Sequence, residues 1–192
     1  ADVRRAGSEA LRAGRSLSAE CLSLHFPDVA RMTDDWGRHC AVETAVAHEK
    51  TFPSQRDRYG PGLAGLIDAG RALSAVEYQQ ILLRRRDFAV RVLAALAPVD
   101  AMLIPAQPIA APTVARMNTL GQVPAELAAL IRFTAPFDMS GNPTLTLPVA
   151  FTAAGLPIAA QFVGKPLGEA TIVRVGRAYQ RVTSWHRRHP KL

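Results

Sequence analysis

A serine or cysteine beside a base is the most compact chemistry a chain of this size could carry. The serines are Ser8, Ser16, Ser18, Ser23, Ser54, Ser74, Ser140 and Ser184. None stands in a G-x-S-x-G elbow and no two are adjacent. Ser74, with Glu77 three residues on, reads as a helix-capping pair. Ser140, set before Gly141 in an expected loop, is the one serine in a setting that suits a site. A serine nucleophile also needs a base within hydrogen-bond reach. The five histidines are scattered, and nothing in the spacing brings one to Ser140, so the expectation there is a turn or cap. Asp34 and Asp35 are helical neighbours and diverge, which removes them as paired carboxylates. Cys21, His25, His39 and Cys40 have metal-ligand chemistry, but His39 and Cys40 point about 100° apart on a helix and do not favour one ion. No H-E-x-x-H, phosphate-binding loop or dinucleotide fingerprint occurs, and no cofactor or metal is expected.

The elements that must hold such residues read as a mixture of helix and strand. Helices are expected over Asp2–Arg12, Asp28–Glu49, Leu63–Ala69, Ser74–Ala97, Pro124–Leu130 and Glu169–Trp185. The clearest is Ser74–Ala97, where Tyr78, Ile81, Leu82, Phe88, Val92 and Leu96 recur at helical spacing before Pro98. Strands are expected at Leu17–Leu24, from its loose alternation, at Asp100–Ile104, and at Leu145–Phe151 and Ile158–Val163, which form a hairpin around Gly155. The hairpin runs are apolar on both faces, which implies a sheet covered on both sides. The fold class is therefore α/β, with all four strands expected in one large sheet, and the length suits one domain, or at most a domain with an appendage.

Composition sets limits on partners. The 192 residues are 48% hydrophobic and 20% charged, unlike a disordered tail. No run approaches the ~20 apolar residues of a membrane span, and no leader is visible, so a soluble chain off the membrane is expected. The net charge is +7, from 23 basic and 16 acidic residues. The arginines are scattered, and Arg84-Arg85-Arg86 falls within a helical pattern as a solvated face, so nucleic acid is not the expected partner. Two cysteines outside any framework suit a reducing, cytoplasmic compartment.

The segment with the most specific pattern is 133–164. It reads F-T-A-P-F-D-M-S-G-N-P-T-L-T-L-P, then G-L-P-I-A-A-Q-F-V-G. Pro143 and Pro148 bracket the first strand, and Gln161 sits in an otherwise apolar one, where its amide needs partners. This segment closely resembles the C-terminal part of the amidase signature family. The matching residues include Phe133, Thr134, Pro136, Gly141, Pro143, Leu147, Pro148, Gly155, Leu156, Pro157, Gln161, Gly164, Glu169 and Ala170. The strand 100–105 ending in proline, Ala47-His48-Glu49, Tyr59-Gly60-Pro61, the helix from Tyr78 to Arg85, and Trp185-His186 with Pro190 also agree. Asp138 stands where the family commonly has Asn, and Ala150 and Ala159 where it has Gly. Ile131 stands where the glutamyl-tRNA amidotransferase branch has an acidic residue, which points away from recognition of that kind.

The resemblance implies a mixed sheet between helices, and hydrolysis of carbon–nitrogen amide bonds by two serines and a lysine. This chain has no Gly-Ser-Ser, and its lysines, Lys50, Lys165 and Lys191, fall at a helix end, after the hairpin and in the tail. No catalytic residue is carried over. The resemblance instead implies pocket wall from Phe133, Thr134, Phe137, Asp138 and Ser140, and a small-molecule amide substrate in the complete enzyme. It also implies partnership with an N-terminal half, or self-association through the sheet left open. The rival expectations are a non-catalytic truncated module and an amidotransferase-like subunit acting with a partner chain.

Overall fold

In the computed structural model, which describes residues 2–120 and 123–189, a three-stranded sheet lies between two layers of helix. The helices are α1 (Asp2–Ser16), α2 (Ala30–Ala47), α3 (Phe52–Gln55), α4 (Pro61–Ala72), α5 (Ala75–Leu96), α6 (Val114–Leu120), α7 (Pro124–Ile131), α8 (Ala135–Ser140) and α9 (Glu169–Val182). The strands are β1 (Ala101–Pro105), β2 (Thr144–Phe151) and β3 (Pro157–Gly164), in spatial order β1-β3-β2 and antiparallel throughout. Gly155 makes the hairpin turn at φ 80°, a left-handed conformation that glycine adopts without a side-chain penalty.

The strand period of two distributes side chains to both layers. Leu103, Leu147, Val149, Ile158, Ala160 and Phe162 face a core completed by Ala6 and Ala10 of α1 and by Ile172 and Tyr179 of α9. Met102 and Val163 face the other core, with Ile81, Phe88, Val92 and Leu96 of α5, Met32 of α2, and Phe137 and Met139 of α8. The sheet is thus covered on both faces, as its two-sided apolar runs require. β2 alternates at its first half: Leu145 and Leu147 pack inward, and Thr144 and Thr146 are exposed.

The capping box of α5 forms as the sequence implied, with Glu77 N–H donating to Ser74 Oγ at 3.2 Å and Ser74 N–H to Glu77 Oε2 at 3.2 Å. Bonds donated to the Glu77 carboxylate by the Ser74 hydroxyl at 2.8 Å and by the Ser74 N–H, and then by Arg38 at 2.9 Å, hold it below its ordinary range. α4 crosses α2 so closely that a Cβ on Gly70 would collide with the Ala41 carbonyl.

Several expectations change. Leu17–Leu24 is not a strand: residues 19–29 run without regular structure beside β1. Its alternation is real, but among the described residues no strand pairs with it, and a strand needs a ladder partner. The sheet accordingly has three strands rather than four. α2 runs over Ala30–Ala47 rather than Asp28–Glu49, and Phe52 opens the short α3. The last helix ends at Val182, with a separate 3₁₀ turn over Trp185–Arg187. Pro190 and Lys191 lie outside the described residues. No described helix is long and apolar enough to cross a membrane.

Candidate functional site

The stretch from Phe133 to Asn142 is a short helix held from three sides. Thr134 Oγ1 donates to Ile131 O at 3.1 Å, and Phe137 N–H to Thr134 O at 3.0 Å, which starts α8. Gly141, at φ 76°, ends it, with its N–H on Phe137 O at 2.8 Å. Ser140 is therefore the last residue of a helix rather than part of an open loop. Its Oγ donates to Asn142 Oδ1 at 2.6 Å, and Asn142 Nδ2 donates to Gly164 O at 2.7 Å. This chain of bonds fixes α8 to β3. It places an amide oxygen, not a base, on the Ser140 hydroxyl, so Ser140 closes a turn and is not activated as a nucleophile.

The other candidates separate. Phe133 is half-buried with the Arg132 guanidinium 5.0 Å from its ring centre. Phe137 is buried against Phe26, with ring centres 5.7 Å apart. Thr134 and Asp138 are exposed, and Asp138 Oδ2 accepts from the Trp36 indole N–H at 2.9 Å. Gln161, buried in β3, donates through Nε2 to Phe133 O and to Pro105 O, the latter at 3.4 Å. Its amide therefore ties the start of the candidate segment to the sheet.

Sequence reasoning passed over the groups behind α8. Arg85 donates to Met139 O at 2.9 Å and to Asp138 O at 3.5 Å, which satisfies carbonyls at the C-terminal end of a helix. The same guanidinium lies 3.1 Å from His39 Nε2, which is also 3.2 Å from Glu43 Oε1. The His39 ring stacks on Tyr78, and its buried Nδ1 has no hydrogen-bond partner. One turn earlier, Asp35 is fully buried and takes a bidentate pair from Arg84 at 2.7 and 2.8 Å, with Arg31 at 3.4 Å. The bond to Asp35 raises the Arg84 pKa above its ordinary value. Arg84 and Arg85 are thus engaged, and only Arg86 of that run is solvated. Their positions carried a signal: Asp35 is three residues from buried Met32, and Arg85 sits four after Ile81 and three before Phe88. Charges on a buried stripe demand partners. Cys40, half-buried nearby, has its thiol pKa pushed up by burial and then by the Glu43 and Asp138 carboxylates.

A cavity of about 1000 Å³ opens between residues 17–29, β1 and the start of α8. Phe133 and Phe137 both line it; Thr134, Asp138 and Ser140 do not. Among the described residues no three of His, Cys, Asp and Glu converge as metal ligands.

Comparison with known proteins finds amidases and, beside them, glutamyl-tRNA(Gln) amidotransferase subunits A, one of which, from Geobacter metallireducens, is 28% identical over 96% of this chain and 42% of that protein. The sequence profile of the family described as Amidase matches residues 3–173. A putative amidase, AmiD, of Mycobacterium tuberculosis is 47% identical over 150 residues, which are 78% of this chain and 32% of that protein. An amidase of Pseudomonas putida is 30% identical over 195 residues, covering 100% of this chain and 41% of that protein. A crystal structure of an amidase superposes with a TM-score of 0.80 at 26% identity, over 94% of this chain and 42% of that one. The chain thus spans about a third to two-fifths of the length of these relatives.

Proposed function

The chain belongs to the amidase family, and from that premise we propose that it forms the C-terminal part of a hydrolase of carbon–nitrogen amide bonds. In this reading the serine nucleophile and its lysine stand in an upstream segment outside these 192 residues. The 1–192 stretch is one partial domain that supplies sheet and pocket wall. The observation that carries the reading is the paired absence and fit. Among the described residues no serine hydroxyl is bonded to a histidine or lysine, and the one carboxylate partner is Glu77 in the helix cap at Ser74, while the segment 133–164 has the family's pattern and is built as a rigid unit. Phe133 and Phe137, which share the cavity, are the apolar wall for a small amide substrate; Thr134, Asp138 and Ser140 lie on the same segment outside that cavity and are wall only toward the upstream part. The partner is the upstream part of the same fold, or failing that a second copy. Large apolar side chains on the outer side of α5, such as Val76, Leu83 and Val90, are exposed and open to such contact.

The test is to extend the polypeptide with whatever its reading frame encodes ahead of Ala1 and to assay simple aliphatic and aryl amides. Hydrolysis gained with the extension, and lost when its serine is replaced, supports the reading. A stop codon immediately upstream would favour a non-catalytic module. An extended protein that hydrolyses no amide would overturn it.

A further inference from the structure

We propose that the outer surface of α9, continued through the 3₁₀ turn after it, binds the phosphate backbone of a nucleic-acid strand. The inference is independent of the amide chemistry proposed above, and α9 lies on the other face of the sheet from α8. In the sequence the arginines look scattered, but the helical period gathers them. α9 buries Ile172, Gly176 and Tyr179 on its inner side. Arg174, Arg177 and Arg181, three and four residues apart, fall on the opposite side and are all exposed. Arg187 and Arg188, also exposed, follow at the end of the 3₁₀ turn and just beyond it.

Residues 165–189 hold six basic residues against Glu169 alone, which is five of the chain's seven net positive charges. Among the described residues no carboxylate lies within ion-pair distance of any of these five arginines. α1, on the same face of the sheet, adds Arg4 and Arg15, both exposed and likewise without a carboxylate among the described residues. The opposite layer differs. There α2, α4 and α5 carry seven arginines against six carboxylates, and Arg31, Arg38, Arg84 and Arg91 stand in ion pairs. The positive field is thus built on one side of the molecule, and the described residues do not neutralise it.

The occupant is a polyanion, and the surface selects its kind. A lipid bilayer needs one apolar face to bury. The exposed apolar residues of α9, Val173 and Val182, lie on opposite flanks of the arginine stripe rather than together. A protein partner needs a desolvated apolar or aromatic centre, and the centre of this surface is arginine. A phosphate backbone needs neither, because guanidinium donors alone hold it. The spacing agrees. From Arg174 to Arg181 the helix rises about 10 Å at ~1.5 Å per residue, the reach of about three successive phosphates at ~3.4 Å along one strand. At the end of the stripe a pocket of about 470 Å³ is lined by Arg181, Ser184, Trp185 and Arg187, where a further phosphate meets two guanidinium groups. Contacts of this kind follow charge and not base sequence.

The test reads the fluorescence anisotropy of a labelled oligouridylate of about 20 nucleotides, long enough to cover the stripe, titrated with the chain at about 50 and about 200 mM salt. About four phosphate contacts on a single strand give a slope of about −3 in log K against log salt, so affinity should fall about 60-fold between the two. Arg174→Gln, Arg177→Gln and Arg181→Gln together should weaken binding at least tenfold at the lower salt and bring the slope to about −1. Lysine at the same three positions keeps the charge and should bind within about threefold of the parent. Removing equal charge from the opposite layer, with Arg71→Gln, Arg86→Gln and Arg91→Gln, should also leave affinity within about threefold. All six side chains are exposed, so thermal unfolding of the variants should match the parent. If the glutamines nevertheless disturb α9, the lysine variant and the parent's salt slope still decide. Absence of binding at the lower salt, an equal loss for the two glutamine triples, or binding to phosphatidylglycerol vesicles with none to the oligonucleotide would overturn the proposal.

Discussion

Replacing Gln161 with leucine removes the donor that joins residues 133–141 to the sheet. The side chain is 2% exposed, and its Nε2 serves the carbonyls of Phe133 and Pro105. Leucine keeps the approximate volume, so the loss is mainly two buried acceptors left without a donor, at about 1–3 kcal/mol. The Pro105 contact, at 3.4 Å, is long, which puts the sum in the lower half of that range. For a chain of this size each kcal/mol lowers Tm by about 2–4 °C, so a fall of about 2–8 °C is expected in thermal unfolding followed by circular dichroism. Gln161→Glu sharpens the test. A carboxylate there would face two carbonyl oxygens and must hold a proton to donate. Its folded-state pKa is then raised above the unfolded value of about 4.3. The stability of the neutral form is present below that unfolded value and lost as pH rises through the folded one. Relative to the parent chain, the glutamate variant should be worse than leucine at pH 7 and recover toward pH 4, while leucine does not. An unchanged Tm for Gln161→Leu, or a glutamate variant whose deficit ignores pH, would show that the amide is not holding the segment.

Arg84→Met should cost about 3–5 kcal/mol in urea unfolding, because it strands the buried Asp35 carboxylate with only Arg31 at 3.4 Å; a change under 1 kcal/mol would place water at that carboxylate. Gly70→Ala should destabilise by at least the 1–3 kcal/mol typical of overpacking, since the obstacle is the backbone at Ala41; a neutral result would mean that α2 and α4 separate freely. Cys40, whose thiol is raised by burial and by Glu43, should be alkylated by iodoacetamide at pH 8 more slowly in the folded chain than in urea; equal rates would place it in solvent.

Much of the scaffold was legible because local signals and tertiary packing agree. The apolar stripe and capping box of α5, and the two-sided apolar runs of β2 and β3, each state their own surroundings. Leu17–Leu24 was misread for a physical reason: alternation describes which way side chains point, but a strand exists only with a neighbour to bond. α8 was hidden because six residues with proline near the start give no period; it is made helical by Gly141 and by Arg85 from another element. The Asp35–Arg84 pair and the Arg85 bridge join residues 49 and 54 positions apart, and the only local trace was charge on a buried stripe. Phe133 and Phe137 could be named from the motif, but that they share one cavity while Ser140 faces Asn142 is a matter of packing.

The central claim is that these residues form wall and sheet while the nucleophile stands elsewhere, and serine-directed fluorophosphonate labelling of the purified chain tests it most directly. With Ser140 Oγ bound to Asn142 Oδ1 and no base beside it, no serine of the chain should label above the level of the denatured protein. Stoichiometric labelling of one serine, abolished by Ser140→Ala, would contradict the account and place the nucleophile within α8.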